Sequence, residues 1–276
     1  MVNETFNAKR FGAYFRYDLR QLWRNNGKSA VILGGISLIG YLVWVIVSLL
    51  FTGAWHGPTL VGRFVCFYLG ALALVLLQTR TYGYVTEKKA GQSWLMVPAS
   101  ALEKFLSMML ITLIILPLAY VCSYLLLDAV LCLLDSSCGG SILFNFGQTI
   151  ASVGKDLSAL SEEGFQLNLL PLALPLALQL ATNLLYFLLC GLCFRKWKIM
   201  GGIGVLLLLE AALVPLLSHL VFRVWTPIVG RYDYGDDPAQ LTEVLNQVFN
   251  YGTFINLAVA LLLAGGIYYR IKTLKR

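Results

Sequence analysis

The sequence predicts an all-α, polytopic membrane protein with six transmembrane helices, an amphipathic helix before the first of them, and both termini in the cytoplasm. The chain is 58% hydrophobic and 13% charged, and its mean hydropathy of +0.74 excludes an ordinary soluble domain. Six apolar spans approach or exceed the ~20 residues that cross a bilayer. They cover residues 29–51, 60–82, 105–127, 169–194, 199–222 and 253–269.

The charged residues predict the orientation of these spans. When the connecting segments are numbered alternately, 17 of the 21 lysine and arginine residues fall on one side, and nine of the 14 acidic residues fall on the other. Positively charged segments stay in the cytoplasm, so both termini are expected there. The basic excess predicts contact with anionic membrane lipids. It does not indicate nucleic-acid binding, because the chain has no soluble basic domain.

The first 28 residues form an arm with the pattern of an amphipathic helix. The apolar face comprises Phe11, Phe15, Leu19 and Leu22, and a neighbouring basic face comprises Arg16, Arg20 and Arg24. Aromatic bulk on one face and arginines on another are typical of a helix that lies in the membrane interface. The alternative is a solvated helix that packs on the protein's own loops.

Residues 83–104 form the most specific local feature, a predicted elbow between the second and third spans. A short apolar stretch, 94–97, lies between two charged clusters. Pro98 biases the preceding residue away from helical angles and should end a short helix. Ser100 and Glu103 then have the spacing of a capping box that opens the next helix. The pattern predicts an exposed apolar tip on a rigid elbow, suited to docking into a partner's groove.

The elbow resembles the loop between the second and third spans of type-2 ABC transporter permeases, the membrane subunits of many bacterial exporters. The matching residues are Glu87, Lys88, Gly91, Leu95, Pro98, Ser100 and Lys104. In that family this loop is the coupling helix, which sits in a cleft of a separate ATP-binding subunit, and the arm is similar to the family's connecting helix. This chain departs from the family in having Ala101 where an arginine is usual, and in a long loop at 128–168.

The resemblance implies a permease subunit in the bacterial cytoplasmic membrane, paired with a second copy or a similar chain and driven by an ATP-binding subunit. The residues expected to contact that subunit are Gly91, Trp94, Leu95, Met96, Pro98, Ser100 and Glu103. The alternative function is a non-transporting membrane partner or regulatory subunit of a membrane complex. The substrate, the direction of transport and the choice between homodimer and heterodimer stay open.

Polar residues within the spans are few. Glu210 lies near the middle of the fifth span, where an ionisable group is a functional candidate by default. Gln179 and Asn183 share one face of the fourth span. These three side chains either bond neighbouring helices or line a pathway. A carrier centred on Glu210 is disfavoured, because the sequence lacks the inverted repeat or paired broken helices of such proteins. The loops at 128–168 and 223–252 are interpreted as helical lids over the outer ends of the spans, or as a gate.

Catalysis, cofactors and metals find little support in the sequence. Two histidines are too few for a histidine-rich site, and Gly27-Lys28-Ser29 lacks the earlier glycine of a phosphate-binding loop. We therefore expect no enzyme activity in this chain and ATP hydrolysis in a separate subunit. Of the six cysteines, Cys132 and Cys138 are the pair expected outside the cytoplasm, where a disulfide between them is conceivable. Cys190 and Cys193 are interpreted as helix-packing residues.

Overall fold

The computed structural model describes residues 6–138, 140–143, 169–209, 211 and 238–274. These residues are helical apart from short connections, and they contain no strand. The helices are α1 (Ala8–Gly34), α2 (Ile36–Thr52), α3 (Leu60–Thr81), α4 (Lys88–Met96), α5 (Ala101–Leu110), α6 (Leu116–Leu134), α7 (Leu169–Cys193), α8 (Lys198–Leu209) and α9 (Pro238–Leu274). The fold class predicted from composition and periodicity is confirmed at the level of an all-helical chain.

Five helical stretches within the described part of the chain are long and apolar enough to cross a membrane. They are Ala8–Thr52, Leu60–Thr86, Ala101–Leu134, Leu174–Cys193 and Tyr251–Leu274. The predicted fifth span, 199–222, is represented by the short apolar helix α8, and most of its second half lies outside the described residues. Several apolar helices of this length indicate a multi-pass membrane protein.

The arm and the first span form one helical rod, which differs from the predicted separation at residue 28. The Asn7 side chain caps α1 by accepting hydrogen bonds from the backbone N–H groups of Lys9 and Arg10. The helix then continues to Gly34, and α2 begins directly after Gly35. Asn26 and Gly27 at the end of the arm are residue types that often end a helix, but α1 continues through them, so the amphipathic and apolar patterns share one helical path.

The third span is longer than predicted. It begins at Ala101 and runs through a π-helical turn, Ile111–Ile115, into α6. Pro117 has no backbone N–H and cannot donate the hydrogen bond of a regular α-helix. The π-helical turn just before it accommodates this missing bond. Because α6 reaches Leu134, Asp128 lies within a helix and not in the predicted outer loop 128–168.

The last span is also part of a longer helix. α9 runs without a break from Pro238 to Leu274 and so includes the last part of the predicted outer loop 223–252. Residues 223–237 of that loop lie outside the described part of the chain, as do residues 144–168 of the predicted loop 128–168.

α7 is packed between α3 and α9 at the centre of the described bundle. Leu184 and Leu188 on α7 are at most 1% exposed, and each belongs to a cluster of buried apolar side chains. Gly191 permits close approach of α7 to α3, because a Cβ atom there would lie 2.7 Å from the carbonyl oxygen of Thr79 and 3.0 Å from its Cα. In membrane proteins, small residues allow two helix backbones to approach each other closely. This matters because van der Waals packing, and not the exclusion of water, holds helices together in lipid.

The helix packing brings the basic segments to one end of the bundle, which we call the basic end. Arg10 of the arm reaches Glu103 at the start of α5. Lys198 at the start of α8 binds the carbonyl oxygen of Gly83 just after α3. Arg270 near the end of α9 binds the carbonyl oxygen of Leu192 near the end of α7. The opposite end contains the junctions between α2 and α3 and between α6 and the 3₁₀ turn Ser136–Cys138.

We predict that Gly191→Val destabilises the bundle by about 1–3 kcal/mol, the usual penalty for overpacking a filled interior. Thermal unfolding in detergent should therefore occur at a lower temperature. Gly265→Val is the matched control, because a Cβ atom at Gly265 has no neighbour within 4 Å. Equal unfolding temperatures for the two variants would show that the α3–α7 contact is not limiting.

Candidate functional site: the elbow and its anchors

The elbow has the predicted order of a short helix, a break and a newly capped helix. A 3₁₀ turn, Gly83–Thr86, precedes α4. Val97 then adopts extended angles, and its carbonyl oxygen accepts a 2.8 Å hydrogen bond from the N–H of Ala99 across Pro98. This bond spans two residues and makes a γ-turn. The chain therefore changes direction sharply between α4 and α5.

The predicted capping box at the start of α5 is confirmed. Ser100 Oγ accepts a hydrogen bond from the N–H of Glu103 at 3.2 Å, and Glu103 Oε2 accepts one from the N–H of Ser100 at 2.8 Å. Both side chains are buried, at 3% and 0% exposure. Ser100 and Glu103 therefore position the elbow from within, and their side chains are not available to a partner.

Glu103 also joins the elbow to the arm. Arg10 donates from Nε and Nη2 to its carboxylate at 2.7–3.0 Å. The backbone N–H of Asn7 adds a further bond at 3.0 Å. A buried carboxylate with several charge-assisted donors is well compensated, whereas removing its partner leaves an uncompensated charge. The start of α1 and the start of α5 are thus fixed to each other.

Trp94 corrects the expectation of an exposed apolar tip at 94–97. Its side chain is 1% exposed and belongs to the apolar cluster at the basic end. The indole Nε1 donates to the hydroxyl of Tyr14 in the arm at 3.1 Å. Trp94 is therefore an internal anchor of α4 and does not offer its ring to a partner.

Lys104 strengthens the anchoring of Trp94. It is fully buried, its Nζ donates to the carbonyl oxygen of Trp94 at 2.8 Å, and it lies 4.3 Å from the centroid of the indole ring. An ammonium over an indole face is a favourable cation–π contact, stronger when desolvated. The end of α4 is thereby linked to the first turn of α5 across the γ-turn.

Asp18 completes the buried polar network between the arm and the bundle. Its carboxylate is 2% exposed and accepts hydrogen bonds from Tyr82 at 3.0 Å and Ser107 at 2.6 Å. Sequence reasoning missed this residue. The available signal was an acidic residue between Arg16 and Arg20 in an otherwise basic helix, which predicts a specific partner for its charge.

Gly91 is required by a close contact within the elbow. A Cβ atom at this position would overlap the carbonyl oxygen of Val85 in the preceding 3₁₀ turn. Lys198 holds the same turn from the other side, donating to the carbonyl oxygen of Gly83 at 2.7 Å and pairing with Glu87 at 3.2 Å. Gly91 thus acts by allowing α4 to fold back closely on the 3₁₀ turn that follows α3.

The side chains that remain outside are those of Leu95, Met96 and Pro98. Leu95 is 38% exposed and Met96 is 82% exposed, and Pro98 is also exposed. Together they form a small apolar surface, which we call the elbow tip. Because Trp94 and Glu103 hold the residues on either side of it, the tip is presented on a fixed support.

Of the intramembrane polar candidates, Gln179 and Asn183 lie in the described part of the chain. Gln179 is exposed on α7, and Asn183, one turn further, is half-buried. Their neighbour Thr182 contacts α9 through the carbonyl oxygen of Asn256 at 3.4 Å. Glu210 lies outside the described residues. Within the described part of the chain, no group of three or more histidine, cysteine or acidic side chains is arranged to hold a metal ion.

The opposite end of the bundle contains a second buried polar cluster. Arg63 on α3 pairs with Asp128 on α6 at 3.3 Å, and both are at most 6% exposed. Asp135, just past α6, accepts hydrogen bonds from Tyr41 at 2.5 Å and Trp55 at 3.1 Å. The hydrogen bond from Tyr41 is the main reason that the pKa of Asp135 lies below its ordinary value. This cluster ties the α2–α3 connection to the end of α6.

Comparisons of the chain with protein-family models, with curated proteins and with solved structures found no match.

We predict that Glu103→Ala releases the arm from the elbow, because the variant loses both the helix cap and the ion pair with Arg10. The Arg10 side chain left behind is 28% exposed and can be hydrated, so the main expected effect is loss of the contact between the arm and α5. Trypsin should then cleave faster at the exposed arginines of α1, as measured by limited proteolysis in detergent. Glu87→Ala is the control, since the Glu87 side chain is 58% exposed in its pair with Lys198. Unchanged cleavage in Glu103→Ala would contradict the proposed anchoring.

Proposed function

We propose that this chain is the membrane-spanning permease subunit of an ATP-driven exporter of the type-2 ABC class, with ATP hydrolysis in a separate subunit. The observation that supports this most directly is the elbow tip. Its exposed apolar side chains, Leu95 and Met96, stand on a helix whose other face is locked into the bundle through Trp94. A docking surface needs exposed apolar area, and force transmission needs a rigid attachment.

The connections of the elbow provide a route from the tip to the spans. α4 is linked through Lys104 to α5, which continues into the third span, and through Trp94 to the arm, which continues into the first. Lys198 links the same elbow to α8. A displacement of α4 by an ATP-driven partner would therefore move several helices together. A non-transporting partner subunit could use the same tip but has no need of these links, so the links favour the permease.

The proposed orientation places the basic end in the cytoplasm. Helix packing brings the arm, the elbow, the start of α8 and the end of α9 together at that end. Alternate connecting segments of a multi-pass protein must lie on the same side of the membrane. Their excess of lysine and arginine is the pattern of cytoplasmic segments. An ATP-binding partner would meet the elbow tip on that side. The membrane is proposed to be the bacterial cytoplasmic membrane, and a second permease chain would complete the pathway.

We predict that Met96→Asp reduces copurification of an ATP-binding subunit at least tenfold, because it places a charge in the centre of the docking surface. The measurement is the ATPase activity retained by the affinity-tagged chain after purification from native membranes in mild detergent. Met200→Asp is the matched control, since Met200 is 63% exposed near the same end of the bundle but lies outside the elbow. Retained ATPase activity in both Met96→Asp and Leu95→Asp would refute docking at the tip.

We predict that a membrane-impermeant maleimide labels Met96→Cys only after the cells are permeabilised. The control is Leu134→Cys at the opposite end, a site that is 81% exposed and should be labelled in intact cells. The unsubstituted chain gives the background from its own cysteines. Labelling of Met96→Cys in intact cells would reverse the proposed orientation and remove the basis for an ATP-binding partner at the elbow.

A further inference from the structure

Cys132 and Cys138 meet at the opposite end of the bundle. Cys132 lies in the last turn of α6, and Cys138 ends the 3₁₀ turn Ser136–Cys138 that follows. Both are free thiols in the structure, and both line one small cavity together with Arg63. A disulfide requires two cysteines whose Cα atoms are close and whose side chains converge, and a shared cavity beside the end of α6 fits that requirement.

One guanidinium holds both residues in place. Arg63 Nη1 donates to Cys132 Sγ at 3.1 Å, and Nη2 donates to the carbonyl oxygen of Cys138 at 2.9 Å. Arg63 is itself fixed by its pair with Asp128. The backbone N–H of Cys138 also bonds the carbonyl oxygen of Asp135 at 3.3 Å. Arg63 therefore positions Cys132 through its sulfur atom and Cys138 through its backbone.

The pair is also shielded once the protein has folded. Cys138 is 5% exposed, and the connection between α2 and α3 covers it at Gly57, where a Cβ atom would lie 2.8 Å from the sulfur. Burial raises the pKa of the Cys138 thiol, which lowers the fraction of reactive thiolate in the folded state. A bond between the two sulfurs would thus form before this region closes and resist reduction afterwards.

We propose that Cys132 and Cys138 are joined by a disulfide in the mature protein, on the non-cytoplasmic side of the membrane. The two thiols together lose two protons and two electrons to the disulfide of an oxidising thiol–disulfide exchange partner. That partner's disulfide is reduced to two thiols, and a mixed disulfide with one of the two cysteines is the intermediate. The bond would fix residues 135–138 to the end of α6. This proposal rests on the orientation proposed above, but not on the presence of an ATP-binding subunit.

The experiment is differential alkylation of the unsubstituted protein in native membranes. The membranes are denatured in N-ethylmaleimide, reduced, alkylated with a second, mass-distinct reagent and mapped by mass spectrometry. Cys132 and Cys138 should carry the second label, and Cys190 and Cys193 at the basic end should carry the first. In Cys132→Ser, Cys138 should change from the second label to the first, which identifies its partner.

The first label on both Cys132 and Cys138 in the unsubstituted protein would overturn the proposal. So would a linkage of either residue to Cys66, which lines the same small cavity. This test is independent of docking at the elbow tip, because the labelling of Cys132 and Cys138 does not depend on whether ATPase activity copurifies with the chain.

Discussion

The buried carboxylate of Glu103 determines how the elbow is connected to the rest of the protein. It is inaccessible to solvent and carries a formal charge, so its hydrogen-bond donors must stay in place or the charge becomes costly. Those donors come from three places: the guanidinium of Arg10, the backbone of Asn7 and the backbone of Ser100. The start of the arm, the break after α4 and the first turn of α5 consequently hold one another in a single arrangement.

The division of α4 into a buried and an exposed face follows from this arrangement. Successive residues of a helix point about 100° apart, so burying Trp94 between the arm and Lys104 leaves its neighbours Leu95 and Met96 directed elsewhere. The indole is an effective anchor because its ring packs in the apolar cluster while its N–H reaches Tyr14. In the proposed permease, Trp94 therefore anchors α4 to the bundle, whereas its sequence neighbours Leu95 and Met96 contact the partner.

At each end of the described bundle an ion pair with a buried carboxylate joins elements that are distant in sequence. Arg10 and Glu103 join the arm to α5 at the basic end, and Arg63 and Asp128 join α3 to α6 at the other. Between these ends the described helices pack mainly through apolar and small side chains, with Gly191 allowing α7 to approach α3. Polar contacts at the ends fix which helices are neighbours, because apolar packing alone in a lipid environment gives little preference among partners.

The sequence by itself determined the helical class, most of the apolar spans, the sharp break at Pro98 and the capping box of Ser100 and Glu103. These features depend on hydropathy and on contacts within four residues, which are readable locally. The tertiary structure alone decided that Trp94 faces inward and that Asp18 and Lys104 are buried. Each of these outcomes depends on a partner many residues away, such as Tyr14 for Trp94 and Ser107 for Asp18. Amphipathic periodicity shows that a helix has an apolar face, but only the packed neighbours show whether lipid, a partner protein or the chain itself covers it.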